Sequence, residues 1–487
     1  MKMPRIMAFV VLALALAAMA PAVQAADHLS PNARKAAQRW LAEARLYGVD
    51  VAALADHGDE ALVTAVAGLA AALPARPNPN NVLEDAETGL YLSPDVLWQE
   101  SKREPALLGT IHAAVLAAVA VDRLGGYLAD QLPTHPQFRA LVDAARRYSA
   151  LCEAGGWAPV VVIRGRKGSA WKDTAELTKV QARLAMEGFY SGEPNGIYDD
   201  ATRDAMKRYR RARVMRGKAY YDPDVAEALN VPCEARLATI LLNIRRWRHT
   251  AQTDETTHVR VNLAGADVHY TRDGVLKSTH RAVVGSNKPV WVRRFGKKVL
   301  RNATPVMHDH ISTIVVNPLW TVPKRLVRDE LKPAIAKDPD YLAKHGYIIR
   351  TAANGAQMYV QSHGPHNALG QVKITFPNSE RIYLHDTNKR GFFRYPKRAF
   401  SHGCVRVKNA FELGSALVKD DFEARGVRFS IRSMKKRVER NDKTYFYGLE
   451  TQVPIFMEYY TATAETDGTV SFHPDSYGYD AAALETR

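Results

Sequence analysis

Hydrophobic and polar positions change their rhythm along this chain, and each change marks a new kind of element. From residue 27 to about 155 apolar residues recur at helical spacing. Arg34 to Tyr47 and Glu60 to Leu73 carry such stripes, and Ile111 to Val121 is almost continuously apolar. That last run is shorter than the ~20 residues of a membrane span, so it predicts a buried core helix. Pro74 to Asn81 interrupts the pattern with a Pro/Asn-rich loop. Between about 172 and 231 the helices become shorter. Leu177, Val180 and Leu184 share a face, Gly188 to Gly196 predicts a loop, and Asp199 or Asp200 caps a second helix through Ala205 and Tyr209. Asp222 caps a third, with Pro223 at its first position, where the missing N–H costs nothing. Leu237 to Trp247 predicts a helix that returns to the first group, which makes the small unit an insertion.

From about 257 the period drops to two. Val259, Val261 and Leu263 alternate, Asp273-Gly274 signals a hairpin, and Ala282 to Gly285, Val372 to Phe376 and Val427 to Ile431 read as strands. A stretch at about 319 to 368 interrupts them with two Pro-punctuated helical pieces. Near the end, Val453 to Tyr460 reads as a strand, and Asp467-Gly468 as a turn into Val470 to Phe472. Many strands with few helices predict a curled sheet or sandwich, so the fold class is multidomain α+β.

Composition adds an address. Lys2 and Arg5, an apolar core from Ile6 to Ala20, and Val23-Gln24-Ala25 after Pro21 read as a signal peptide over residues 1–25, cleaved after Ala25. No stable membrane span is expected after cleavage. The 487 residues call for two to four units. The formal net charge of +16 suits a polyanionic surface, or only a solvated one; export argues against nucleic acid. The runs Lys297-Lys298 and Lys435-Lys436-Arg437 read as solvated faces. Three cysteines are present, an odd number for an oxidising compartment. Cys152 and Cys233 flank the small unit and are either paired at its base or two buried free thiols; spacing does not decide.

The densest chemistry lies in 381–413. Ile382 and Leu384 alternate with Tyr383 and His385, so a strand there buries the first pair and points the second into a cleft. Asn409 and Glu412 read as a capped helix start, which leaves Cys404 in a tight connection beside Gly403. A thiol attacks as thiolate, favoured by a nearby imidazole or cationic surroundings, and His385, His402, Arg398 and Arg406 are candidates to provide them. The plainer alternative is a buried structural thiol. Metal chemistry is a weaker alternative. His308 and His310, and His363 and His366, sit at strand and helical-turn spacing, but no His-Glu-x-x-His or Cys-x-x-Cys occurs, so no metal or cofactor is expected.

His385, a fifteen-residue gap and then Ser401-His402-Gly403-Cys404 resemble the signature of the YkuD-type L,D-transpeptidases, cell-wall enzymes with a Cys nucleophile and a His base. Arg406 matches members with a Cys-hydrophobic-Arg ending. Thr304-Pro305, Asn317-Pro318-Leu319-Trp320 and Asn367-Ala368-Leu369-Gly370 resemble further family positions, and 319–368 resembles the lid of the large-lid class. Gly188-Phe189-Tyr190 with Gly196-Ile197-Tyr198-Asp199 and Thr202 resembles a three-helix peptidoglycan-binding domain, although Tyr209-Arg210 stand where that family has Phe-Gln.

The resemblance implies a helical scaffold over 26–170 completed by 232–252, with an inserted peptidoglycan-binding-like domain at 171–231. It implies a YkuD-type catalytic domain at 256–435 and, at 436–487, a C-terminal extension packed on that domain. It further implies a periplasmic enzyme in which Cys404 is the nucleophile and His385 the base, oriented by a backbone carbonyl near Asp386. Gly403 and Cys404 N–H groups would hold the oxyanion, and Tyr383, Arg406, His402, Ser401 and Trp320 would contact substrate. The implied partners are peptidoglycan stem peptides and glycan, with other cell-wall synthesis proteins beside them. Crosslinking of stems, 3→3 or 1→3, is the expected reaction, and carbapenems are expected to acylate the thiol. Trimming of stems, or peptidoglycan binding without activity, are the alternatives.

Overall fold

The computed structural model describes residues 30–44, 66, 132–162, 174–249, 256–292, 297–465 and 467–485. The expected signal peptide, the loop at 74–81, the apolar run at 111–121 and the 60–73 stripe apart from Val66 lie outside these residues. No helix among the described residues is long and apolar enough to cross a membrane.

Helices Pro31–Glu43, Pro136–Glu153 and Cys233–His249 bury their apolar stripes around Phe138, Leu141, Tyr148, Ile240, Ile244 and Trp247. The chain leaves this core through Gly155 and Gly156, whose φ of 98° and 68° favours glycine. It returns at Cys233, which is disulfide-bonded to Cys152 with 5.5 Å between Cα atoms. Between the two cysteines, Thr174–Met186, Asp200–Ala212 and Pro223–Leu229 enclose a separate core of Leu177, Val180, Leu184, Phe189, Met206, Tyr209 and Leu229. Asp199 and Asp222 each accept a backbone N–H, from Thr202 and Val225, as Ncap carboxylates do. A buried carboxylate ties this unit down. Glu187 accepts from Tyr148 at 2.8 Å and from Arg213 at 2.6 Å, with Arg183 at 3.0 Å.

The β-rich part is one nine-stranded sheet. Its members are β1 (His258–Asn262), β2 (Asp267–Arg272), β3 (Val275–Gly285), β6 (Met307–Val316), β10 (Val372–Thr375), β11 (Leu384–His385), β12 (Ala399–Ser401), β13 (Val405–Val407) and β14 (Tyr445–Glu458), while β4 (Val290–Val292) and β5 (Lys297–Val299) pair with each other outside it. The order is β12-β3-β13-β11-β10-β6-β14-β1-β2, and a β2–β3 pairing closes it on itself. The curled sheet is therefore barrel-like, with the β2 edge covered by β3 and β12 left at the rim. Asp273 and Gly274, at φ 53° and 73°, form the tight turn expected between those two strands.

Three expectations change. Val427 to Ile431 is not a strand: Ser430 caps a helix at Ile431–Arg440 through the Ser433 N–H, and Phe429 alone packs on the core. Alternating apolar residues served a docking loop there. Asn409 does precede the helix Ala410–Ala424, but at φ 59° its side chain makes no cap bond. The segment after 436 is no mere extension, because β14 pairs with β6 on one side and β1 on the other, inside the sheet. Beyond it, β15 (Ala462–Ala464) and β16 (Val470–Phe472) join the helical core. The 319–368 stretch holds helical turns from Lys324 to Lys337 and at Tyr341–Lys344. It also holds an unforeseen small sheet of β7 (Trp320–Thr321), β9 (Gln357–Gln361) and β8 (Tyr347–Thr351).

Candidate active site

Strands β10, β11 and β13 lie side by side, and their register sets out the site. Lys373 pairs with His385, and His385 with Arg406. Paired residues share a face, so these three form a row, with Tyr383 and Cys404 each two residues before a member of it. The alternate residues Val372, Ile374, Leu384 and Val405 are buried in the core. Leading into β11, the Asn378 amide donates to the carbonyls of Phe376 and Ile382, and its oxygen accepts the Ile382 N–H. Arg381 takes φ 58° in that turn, and its carbonyl accepts the Cys404 thiol at 3.7 Å.

His385 is buried, and its Nδ1 meets the Asp386 carbonyl oxygen. A carbonyl only accepts, so Nδ1 carries the proton and Nε2 is a free base. Asp386 is itself fixed by the Gln371 N–H at 3.0 Å and Arg390 at 3.1 Å. Gly370 makes room for it: a Cβ there would come within 2.5 Å of the Asp386 carboxylate. Burial, and then the Arg406 and Lys373 cations, push His385 down to about 3.

Cys404 is the free cysteine, half-buried. Burial raises its thiol above the ordinary range, against the pull of the Tyr383 N–H and hydroxyl, Lys373 and Arg406. The resting pair is therefore neutral thiol and neutral imidazole. Ser401 Oγ donates to the Cys404 carbonyl at 2.6 Å and accepts the Gly403 N–H at 3.1 Å. Thr304 Oγ1 donates to the Gly403 carbonyl at 2.6 Å and accepts the Gly285 N–H at 2.8 Å, and Tyr477 hydroxyl donates to the Gly285 carbonyl.

A free thiol on a tightly held Gly-Cys turn, beside a buried imidazole with one nitrogen open, is the equipment of acyl transfer. Residues 256–420 match the family model described as the L,D-transpeptidase catalytic domain, YkuD. Over those residues the chain is similar to a YkuD L,D-transpeptidase catalytic domain. A Haemophilus influenzae protein provisionally named as an L,D-transpeptidase is 35% identical over 235 residues, 45% of this chain and 44% of that protein, so this chain spans under half of that relative's length. Solved structures are remoter. An L,D-transpeptidase (residues 123–326) from Xylanimonas cellulosilytica aligns at 17% identity with TM-score 0.20, over 62% of this chain and 98% of that one. L,D-transpeptidase 1 of Mycobacterium tuberculosis aligns at 10% with TM-score 0.17, over 42% and 63%.

The matched region places the expected site residues unequally. Burial and then Cys404 raise the Tyr383 hydroxyl, with Trp320 acting against them, and its ring stands 5.5 Å from that of His385. Arg406 is in the row, and its Nε and one Nη are buried without a partner. Ser401 and Gly403 are placed differently from expectation. Ser401 is buried with its hydroxyl engaged inside the loop, and the Gly403 N–H is held by that hydroxyl, which leaves the Cys404 N–H as the open backbone donor. His402 pairs with Glu330 of the 319–368 stretch at 2.7 Å. Arg398, a candidate cation, gives its guanidinium to the carbonyls of Gly265, Ala266 and Ala282 instead. His308 lies 3.5 Å from Glu458, and among the described residues no three His, Cys, Asp or Glu side chains gather as a metal site. Sequence reasoning missed Lys373. Its only signal was a polar residue inside an apolar strand, Val372 to Phe376.

Proposed function

We propose that this protein is an exported peptidoglycan L,D-transpeptidase that crosslinks stem peptides. Cys404 transfers its proton to His385 Nε2 as its sulfur attacks the carbonyl of the third residue of a donor tetrapeptide stem. The tetrahedral oxyanion is held by the Cys404 N–H. Collapse breaks the amide, His385 returns the proton to the departing amine, and D-Ala leaves a thioester on Cys404. An acceptor amine then attacks the thioester, losing its proton to His385, and the thiolate is reprotonated as the crosslink forms. A 3→3 link is the leading product, with 1→3 as the variant. The observation that carries this reading is the single sheet face on which Tyr383, His385, Cys404 and Arg406 converge, with His385 Nδ1 tied to the Asp386 carbonyl.

Export to the periplasm is part of the proposal, and the Cys152–Cys233 disulfide suits an oxidising compartment. The helical unit at 174–229 would hold the wall polymer, and the 319–368 stretch would act as a lid over the thiol.

The test is mass spectrometry of purified disaccharide-tetrapeptide incubated with the mature protein and with Cys404→Ala. A crosslinked dimer with released D-Ala, formed by the wild type and absent from the variant, is the expected outcome, and fragmentation identifies the accepting amine. Cleavage without dimers would replace the proposal with stem trimming, and no reaction in either protein would leave a binding role. A carbapenem is expected to add its mass to the wild type at Cys404 and leave Cys404→Ala unmodified.

A further inference from the structure

Two cations flank His385 on the site face, and neither has an anionic partner among the described residues. Lys373 stands opposite His385 on β10, and Arg406 beside it on β13. Lys373 Nζ lies 4.1 Å from the centre of the Tyr383 ring, and Cys404 and Trp320 both act on that tyrosine's hydroxyl. The Arg406 guanidinium lies on the other side, 5.7 Å from the Phe392 ring. Both cations are half-buried, with the Arg406 Nε and one Nη fully buried, and cations so placed beside a neutral thiol and a neutral imidazole are stabilised by an anion.

We infer that Lys373 is a specificity-determining residue that receives the terminal carboxylate of the leaving amino acid, so that a donor ending in a free carboxylate is chosen over one whose end is amidated. The inference rests on the transpeptidase reading above. His385 must protonate the departing amine, so that nitrogen lies against the imidazole. The carboxylate is attached to the carbon next to that nitrogen, and paired residues on neighbouring strands stand about 5 Å apart. The terminal carboxylate therefore falls on a cross-strand neighbour of His385. Lys373 is the neighbour on the Tyr383 and Trp320 side, while Arg406 is turned towards Phe392 and is free for a second carboxylate of the donor. Burial lowers Lys373, and a thiolate on Cys404 would raise it. A carboxylate there also offsets one of the two positive charges that depress His385, so the correct donor makes its own base stronger.

The experiment compares disaccharide-tetrapeptide with its C-terminal amide, in the full mature chain and in Lys373→Met and Lys373→Arg. A charge-assisted contact corresponds to a preference of about 30-fold in kcat/KM for the free acid in the wild type. Lys373→Met should reduce that ratio to about 3-fold or less through loss on the acid, and Lys373→Arg should restore part of it. A merely structural lysine would leave the ratio unchanged while both rates fell.

A second measurement needs no turnover. Cys404 alkylation by iodoacetate, an anion, is compared with iodoacetamide, each normalised to glutathione. The expected ratio exceeds one in the wild type and falls towards one in Lys373→Met. An unchanged acid-to-amide ratio in the methionine variant, or no iodoacetate preference in the wild type, would overturn the inference. Failure of the wild type to turn over either donor would instead overturn the transpeptidase reading, and the alkylation ratio would still decide whether Lys373 draws an anion to the thiol.

Discussion

At the scale of single residues, the site withholds its nucleophile until substrate arrives. Cys404 is raised by burial and His385 lowered by burial and two cations, so a preformed thiolate–imidazolium pair is disfavoured. The sign of both shifts gives a test. Iodoacetamide should alkylate the unliganded enzyme slowly at pH 7, and the rate should climb about tenfold per pH unit through pH 8 without a plateau near neutrality. A flat, fast rate from pH 5 upwards would show a resident thiolate and remove this account. Around the pair, fixed carbonyls and amides do the orienting. Asp386 contributes its backbone carbonyl to His385, while its carboxylate is held by Gln371 and Arg390.

At the scale of elements, the strand that completes the sheet lies beyond the matched family domain. The match ends at 420, yet β14 at Tyr445–Glu458 pairs with β6 from Tyr445 to Met457 and with β1 from Ile455 to Glu458. Its loss would leave the interior strands β6 and β1 with unpaired backbone groups. A chain ending at Arg440 is therefore expected to be insoluble or molten, as judged by expression and near-ultraviolet circular dichroism. A soluble, active product would mean that the sheet can close without it. The same segment explains how Tyr477, far along the sequence, comes to hold the Gly285 carbonyl next to the cysteine loop.

At the scale of the molecule, the tail from 459 onwards joins the helical core to the sheet. Asn243 donates to Thr461, Arg246 pairs with Asp480, and Trp247 stacks on Tyr460 at 4.3 Å. His135 stacks on the other side of this junction, 4.2 Å from Trp247, and burial lowers it to about 3. Nearby Glu458, paired with Arg260, is held at about 2. Both shifts make the folded state bind fewer protons than the unfolded chain. The junction's stability is thus fully present at pH 7. It falls as pH drops below about 6.5, where unfolded histidine charges, and falls further below about 4.5, where unfolded glutamate protonates. Thermal melting at pH 7, 5.5 and 4 should show a steady fall in Tm, and a constant Tm would contradict it.

What the sequence by itself determined was local. Period-two alternation put Tyr383 and His385 on one face, the Asp199-Asp200 pair and Asp222 announced their helices, and Asp273-Gly274 its hairpin, because each depends on neighbours a few residues away. The spacing of His385 and Ser401 to Cys404 likewise marked the chemistry. The tertiary structure alone decided which strands are adjacent. Only β10 lying beside β11 brings Lys373 to His385, and only the loop's own closure engages Ser401 Oγ with the Gly403 N–H. The fate of 427–431 and the place of β14 were decided the same way. An alternating pattern states that one face is buried and leaves unstated what buries it.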